Sequence, residues 1–454
     1  MPADAPAPSG VAARRRQRVP HRGRPHPLHP LRPVNRFFRV LGPGLITGAA
    51  DDDPSGIGTY SQAGAVFGAG QLWLALYVLP LVIAVQEMCG RIGLVTGKGI
   101  AGVVRTHYRR RVLVAAVLLL FVANTINVGA DLGAMAASVR LLVPAVPYFP
   151  LLVIFALSML ALEIFCPYHI YARVLKLLTL SLLAYVVTGF VIAPDWRHLL
   201  LATLIPQVQL TPQYLALVVA LLGTTISPYL FFWQASEEVE ETAARHRQLR
   251  GDDPVRQERA LGKQLRALRV DTVFGLVAAS VTFWFIVMTA GSTLHAHGIT
   301  TIASADQAAL ALRPLAGPWA QGLFALGIVG TGLLAVPVLA GSAAYGIAEA
   351  AGWREGLGET LGHARGFYVV IALSTLVGLA LNFLGVNPIA ALVYSAVING
   401  IVAVPLLALI LRVANNRAIL GPHTNGWLAN LFGGLTLVVM AVAAVVTVIS
   451  LLPL

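Results

Sequence analysis

Asp51-Asp52-Asp53-Pro54-Ser55-Gly56 sits inside apolar sequence. Residues 41–50 before it are apolar, and residues 57–81 after it carry no charge. Three carboxylates, a proline and a glycine therefore interrupt what would otherwise be one long apolar helix. A carboxylate at bilayer depth is costly and marks a functional site with a partner. Proline removes a backbone donor and glycine relaxes the helix, so backbone carbonyls here are left free. Carbonyls and a carboxylate together make a place for a cation.

The 454 residues are 57% apolar and only 11% charged, a composition that excludes an ordinary soluble enzyme and indicates a polytopic membrane protein. The apolar runs are long and rich in Leu, Ala, Val and Gly, which predicts helices rather than the short alternating segments of a membrane barrel. The net charge of +12 suggests nucleic acid at first sight. Its clustering in a few loops is instead a topology signal, and no nucleic-acid partner is expected. Cys89 and Cys166 lie in separate apolar stretches and read as free thiols rather than a disulfide.

Eleven spans are expected, at about 40–66, 70–95, 112–141, 149–166, 170–194, 213–236, 268–292, 318–349, 367–385, 388–411 and 427–452. Loop charge orients them. Nine arginines precede the first span, and eight basic residues lie between Arg245 and Arg269. Lys98, Arg105, Arg109, Arg110 and Arg111 fill the second loop, and Arg173 and Lys176 the fourth. Arg354 and Arg365 follow span 8, and Arg412 and Arg417 follow span 10. The opposite loops hold only Arg140, Arg197 and Arg313. The alternation places the N-terminus in the cytoplasm and the C-terminus outside, in a multi-pass plasma (inner) membrane protein. Residues 1–36, rich in Pro, Arg and His, read as a disordered basic cytoplasmic tail. Arg14-Arg15-Arg16-Gln17-Arg18 is followed by no apolar segment, so no cleaved signal is read. Residues 237–267 read as a cytoplasmic linker with an amphipathic helix, opened by Glu237, Glu238, Glu240 and Glu241.

Span 6 carries a second interruption, Gly223-Thr224-Thr225-Ile226-Ser227-Pro228-Tyr229. It lies five spans after the first, and an odd repeat length places two halves in opposite orientation. Paired broken helices at matching positions of inverted repeats point to a transporter's midplane site. Pro54, Pro228 and Gly223 are the expected hinges. The units are then 37–194 for the first repeat, 195–236 and 268–413 for the second, and 414–454 for an extra helix.

At these residues the chain resembles the natural resistance-associated macrophage protein (Nramp) family of divalent-metal transporters. Gly42-Pro43-Gly44, Asp53-Pro54-Ser55-Gly56 and Gln62-Ala63-Gly64-Ala65 look like that family's first span, whose hallmark is Asp-Pro-Gly-Asn. Arg91-Ile92-Gly93-Leu94-Val95-Thr96-Gly97 resembles the end of its second, and the similarity extends over roughly 36–450. The resemblance implies an all-α LeuT-type fold of eleven transmembrane helices, a 5+5 inverted repeat plus one C-terminal helix. The departures are specific. The family's binding Asn corresponds to Gly56, and its Met-Pro-His reads Ser227-Pro228-Tyr229. Its Asp-x-x-Glu of span 3 reads Asp131-Leu132-Gly133-Ala134, and a Gln of span 10 corresponds to Ala396. These changes resemble the Nramp-related magnesium transporters, which implies carriage of Mg²⁺ and Mn²⁺ without proton coupling.

Chemistry points the same way. Thioether sulfur suits late transition metals, whereas carboxylate, carbonyl and water oxygens suit Mg²⁺ and Mn²⁺. The expected metal site comprises Asp53, backbone oxygens at Ala50 and Thr224, and hydroxyls of Thr225 or Ser227. Gly56, Ser227 and Ala396 should leave room for a partly hydrated ion, since Mg²⁺ sheds water reluctantly. Asp51 and Asp52 are expected at an entrance. Glu87 should face the pathway or pair with Arg91, one turn away. Asp131, preceded by Asn124 and Asn127, is expected to line the path or pair with span 8 or 9. Glu163 reads as interfacial and Glu349 as a salt-bridge partner. Tyr229 should fill the histidine slot by volume, and Asn399 should bond a neighbouring helix or a hydrated ion. Without a Gly-x-x-x-x-Gly-Lys-Ser/Thr motif no nucleotide is expected, and no cofactor is. The expected partners are the lipid bilayer and divalent metal ions, and the chain is expected to be monomeric. A proton-coupled Mn²⁺/Fe²⁺ importer, a non-transporting sensor or scaffold with a vestigial site, and a channel are the rival readings; an enzyme is not expected.

Overall fold

The apolar runs have no option but to be helical, because a backbone in hydrocarbon must satisfy its own donors and acceptors. A computed structural model of the chain describes residues 43–166, 179–192, 195–246 and 254–451, and these are almost entirely helix. The α-helices of eight residues or more are α1 (Pro43–Asp51), α2 (Pro54–Phe67), α3 (Trp73–Thr96), α4 (Ile100–His107) and α5 (Arg110–Leu142). They continue with α6 (Tyr148–Phe165), α7 (Leu183–Val191), α8 (Trp196–Leu204), α9 (Pro212–Thr225) and α10 (Pro228–His246). The series ends with α11 (Pro254–Thr293), α12 (Ala320–Ala351), α13 (Arg365–Leu381), α14 (Pro388–Ala414) and α15 (Trp427–Leu451).

Nine segments among the described residues are long and apolar enough to cross a membrane. The expected span 40–66 is not one of them, because it is divided into α1 and α2, of 9 and 14 residues. The expected span 170–194 is seen in part, as a 3₁₀ turn at Thr179–Leu182 followed by α7. The tail 1–36, Arg173 and Lys176 lie outside the described residues. Within the expected 237–267 linker, α10 continues to His246 and α11 begins at Pro254, so helix from both flanking spans enters it.

The centre is built from α5 against α12, α9 against α14, and α11 against α1 and α2. Helices in lipid gain little from mutual hydrophobicity, so close approach relies on small residues. At the α9–α14 crossing, a Cβ on Gly223 would overlap the Ala396 carbonyl and the Gly400 backbone. At α1–α11, a Cβ on Gly48 would overlap the Gly275 backbone. Large apolar side chains face outward on the peripheral helices, among them Leu118 of α5, Val369 of α13 and Val442 of α15. That is a surface suited to acyl chains. Cys89 is buried and Cys166 half-buried, and neither is in a disulfide among the described residues.

Candidate functional site

Two helix breaks meet in the core. The first follows α1, whose last carbonyls have no partner within the helix. Asp53 is extended there (φ −67°, ψ 171°) and begins α2 as its N-cap. Its Oδ1 accepts from the Gly56 amide at 2.7 Å and the Ser55 hydroxyl at 2.6 Å. Capping of this kind contributes about 0.5–2 kcal/mol. Pro54 suits the first helical position, since its missing donor would be unpaired anyway. The second break follows α9 at Ile226 (φ −106°, ψ 60°), and Pro228 starts α10.

Other elements then close on Asp53, which is 1% exposed. From α5, Asn127 Nδ2 donates to Asp53 Oδ2 at 3.0 Å. From α10, Tyr229 Oη stands 3.4 Å from the same oxygen and donates to the Ala50 carbonyl at 2.7 Å. The Thr224 hydroxyl lies 3.4 Å from that of Ser55, which brings the two breaks together. From α14, Asn399 Nδ2 donates to Asn127 Oδ1 at 3.2 Å. Asn127 also reaches Asp131 Oδ2 at 3.4 Å, while Asp131 Oδ1 finds no partner among the described residues. The hydrogen-bonding atoms named around the Asp53 carboxylate are oxygen and nitrogen.

The structure thus brings together Ala50, Asp53, Gly56, Thr224, Tyr229, Asp131 and Asn399. Thr225 and Ser227 are adjacent, but their hydroxyls donate backwards, to Leu221 O at 2.8 Å and to Gly223 O at 2.7 Å. The Ser227 hydroxyl also holds Thr224 O, one of the expected ion carbonyls. Ala396 is buried beside Gly223 at the α9–α14 crossing. Asp51 and Asp52 are buried, each with Oδ1 unpartnered among the described residues. The space expected at Gly56 is closed in this conformation: a Cβ there would stand 3.1 Å from Asp51 O and 3.3 Å from the Thr224 hydroxyl. Pro54 and Pro228 stand at the first positions after each break.

Other acids are engaged elsewhere. Glu87 pairs with Arg269 of α11, at 2.7 and 3.2 Å, and Arg91 instead bonds Asn425. Glu349 accepts from the Gly102 amide at 2.8 Å and the Ser236 hydroxyl at 2.9 Å, so it holds α4 where a cation had been expected. Glu163 is buried without a partner among the described residues. Asn127 is the residue that spacing underrates. An amide one turn before Asp131 in an apolar helix was a visible sign, but its contacts come from α2 and α14, far away in sequence.

The family model described as "Natural resistance-associated macrophage protein-like" matches residues 44–450. A divalent metal cation transporter MntH of Verminephrobacter eiseniae is 26% identical over 403 residues, covering 87% of this chain and 85% of the relative. One of Erwinia tasmaniensis is 26% identical over 417 residues, covering 89% and 92%. Among solved structures, a manganese transporter of Eremococcus coleocola superposes with a TM-score of 0.71 at 17% identity, covering 91% of this chain and 87% of that one. The inward-facing conformation of Mhp1 gives a TM-score of 0.54 at 14% identity, covering 90% and 89%, and so shares the fold.

Proposed function

The chain belongs to the natural resistance-associated macrophage protein-like (Nramp) family, and from that premise we propose a multi-pass membrane carrier of divalent metal cations that works by alternating access, with Mg²⁺ and Mn²⁺ as its ions. The observation that carries this reading is the buried Asp53 carboxylate at two apposed helix breaks, with the Ala50 carbonyl and the Ser55 and Thr224 hydroxyls supplying oxygen beside it. The relatives' names supply the substrate class, divalent metal cations and manganese. The absent thioether and imidazole, replaced by Ser227 and Tyr229, favour hard ions over iron.

In this reading the cation is the cargo. It takes Asp53 Oδ2 and the Ala50 carbonyl from Tyr229 and Asn127, and the Thr224 carbonyl from Ser227. The closed space at Gly56 requires α1 and α9 to part before a hydrated ion enters, and Pro54, Pro228 and Gly223 are the hinges. Eleven crossings in two inverted sets of five plus one follow if α1–α2 and the region of α7 each cross once. Loop charge supports an N-terminus on the cytoplasmic side of an inner membrane, and a negative interior favours entry by about 2.3 kcal/mol per charge per 100 mV.

The test is flux of Mg²⁺, Mn²⁺ and Ca²⁺ into proteoliposomes with and without a pH gradient. Mg²⁺ and Mn²⁺ should enter at rates indifferent to the gradient, and Asp53→Ala should abolish entry while membrane insertion persists, with the melting temperature lowered only as far as the lost α2 cap and Asn127 bond require. Normal Mn²⁺ flux in that variant would sink the site. A second reading, proton-coupled import, draws on one observation, the unpartnered Oδ1 of the buried Asp131. Internal acidification that tracks metal entry would establish it in place of the first.

A further inference from the structure

We propose that the cavity between the start of α5 and the end of α14 is a binding site for the headgroup of an anionic phospholipid. It holds about 880 Å³, within the roughly 300–1,000 Å³ of small-molecule sites. Arg109, Arg412 and His107 line it together with Tyr108, Asn415 and Asn416, and no carboxylate does. The Arg412 guanidinium lies over the Tyr108 ring, 6.0 Å from its centroid. This holds the cation at the wall without neutralising it. The Tyr108 hydroxyl is buried and has no partner among the described residues. The floor adds backbone charge of the same sign. The 33-residue α5 starts here with no capping side chain and no acid in its first turn, so its free amides and dipole also favour an anion. His107 spends Nδ1 on Val103 O at 3.0 Å, which leaves Nε2 as its other polar atom.

The choice of a lipid over a soluble anion comes from the rim. Val112 lines the cavity and is exposed. Ala115, Leu119 and Val122 follow it along one face of α5, all exposed. These residues, spaced by three or four, form one apolar strip that leaves the cavity along the membrane-spanning helix. A ligand that fits both parts has an anionic phosphodiester at one end and acyl chains at the other. The positively charged loops belong to the face expected to meet the cytoplasmic leaflet, where anionic lipids attract juxtamembrane basic residues.

Native mass spectrometry of the full chain tests this, with phosphatidylglycerol and phosphatidylcholine of identical acyl chains supplied in equal amounts. With two arginines engaged at the surface, the anionic lipid should be retained roughly thirtyfold over the zwitterionic one. Arg109→Gln with Arg412→Gln should bring the ratio within about twofold, while Arg412→Lys should keep the preference because the charge stays. Arg313→Gln, in an opposite loop, should change nothing, and melting temperature reports whether each variant is folded. Equal retention by the unaltered chain, or an undiminished ratio in the double variant, would overturn the proposal. So would loss of the preference on adding inorganic phosphate, which would make the occupant a soluble oxyanion. Asp53→Ala should retain the lipid preference, so failure of the transport reading leaves this result distinguishable.

Discussion

Asp53 is fully spoken for before any ion arrives: Ser55 and Gly56 hold one oxygen, Asn127 the other, with Tyr229 close by. Asn127 is the pivotal neighbour, because it joins Asp53 of one break to Asn399 of α14. Replacing it by leucine leaves Asp53 Oδ2 and the Asn399 amide short of partners in a buried place, which should cost about 1–3 kcal/mol. The check is thermal unfolding of Asn127→Leu in detergent; an unchanged midpoint would refute the bridging role. Tyr229 has a different task. Its hydroxyl covers the Ala50 carbonyl at 2.7 Å, and removing one such bond costs about 0.5–1.5 kcal/mol of stability. In Tyr229→Phe that carbonyl is bare in the empty protein and is satisfied only by a cation. The expected outcome is a several-fold lower KM for Mn²⁺ with little change in maximal rate; a raised KM would show that the phenol itself holds the ion.

At the scale of elements, the α9–α14 contact fixes where the second break lies. Gly223→Ala would drive a methyl into the backbone of α14, and overpacking of this type costs about 1–3 kcal/mol. Unfolding measurements should show that loss, with uptake reduced further because the hinge is displaced. The turn after α12 offers a test by pH. Burial, with the nearby charges of Glu349 and Glu240, pushes the Glu355 carboxyl up to about 9. A carboxyl raised above its unfolded value of 4.5 contributes stability that is present at low pH and is lost as pH rises through its folded value. Melting temperature should therefore fall between about pH 5 and 9, and Glu355→Gln should flatten that slope. Much of this layer was legible from sequence: expected spans 112–141, 388–411 and 427–452 correspond to Arg110–Leu142, Pro388–Ala414 and Trp427–Leu451. Both breaks were legible too, because carboxylates, hydroxyls and prolines are foreign to apolar helices. The partners were not. Local spacing pointed Glu87 to Arg91, one turn away, but α11 delivers Arg269 to it across 182 positions. The Asn127–Asn399 bond spans 272 positions, and no periodicity reports such a meeting. The room inferred at Gly56 is closed in this conformation for a related reason: a small side chain gives space only where neighbouring helices do not occupy it.

For the whole molecule, the proposed orientation rests on where the arginines lie, and it can be tested chemically. With Cys166→Ser to remove the half-buried thiol, Ser304→Cys should react with a membrane-impermeant maleimide on intact cells. Arg110→Cys should react only after permeabilisation. The opposite pattern would invert the topology. One last consequence comes from the capped carboxylate of α2. A vacant binding site that carries an unsatisfied charge resists crossing the bilayer, and a carrier built that way is confined to swapping one passenger for another. In the proposed carrier the vacant Asp53 carboxylate has its own substitutes for the passenger's contacts: amides and hydroxyls from three helices, α2, α5 and α10. In the alternating-access cycle proposed above, the return stroke can then be made without a counter-passenger, so that cycle would yield net accumulation rather than one-for-one exchange.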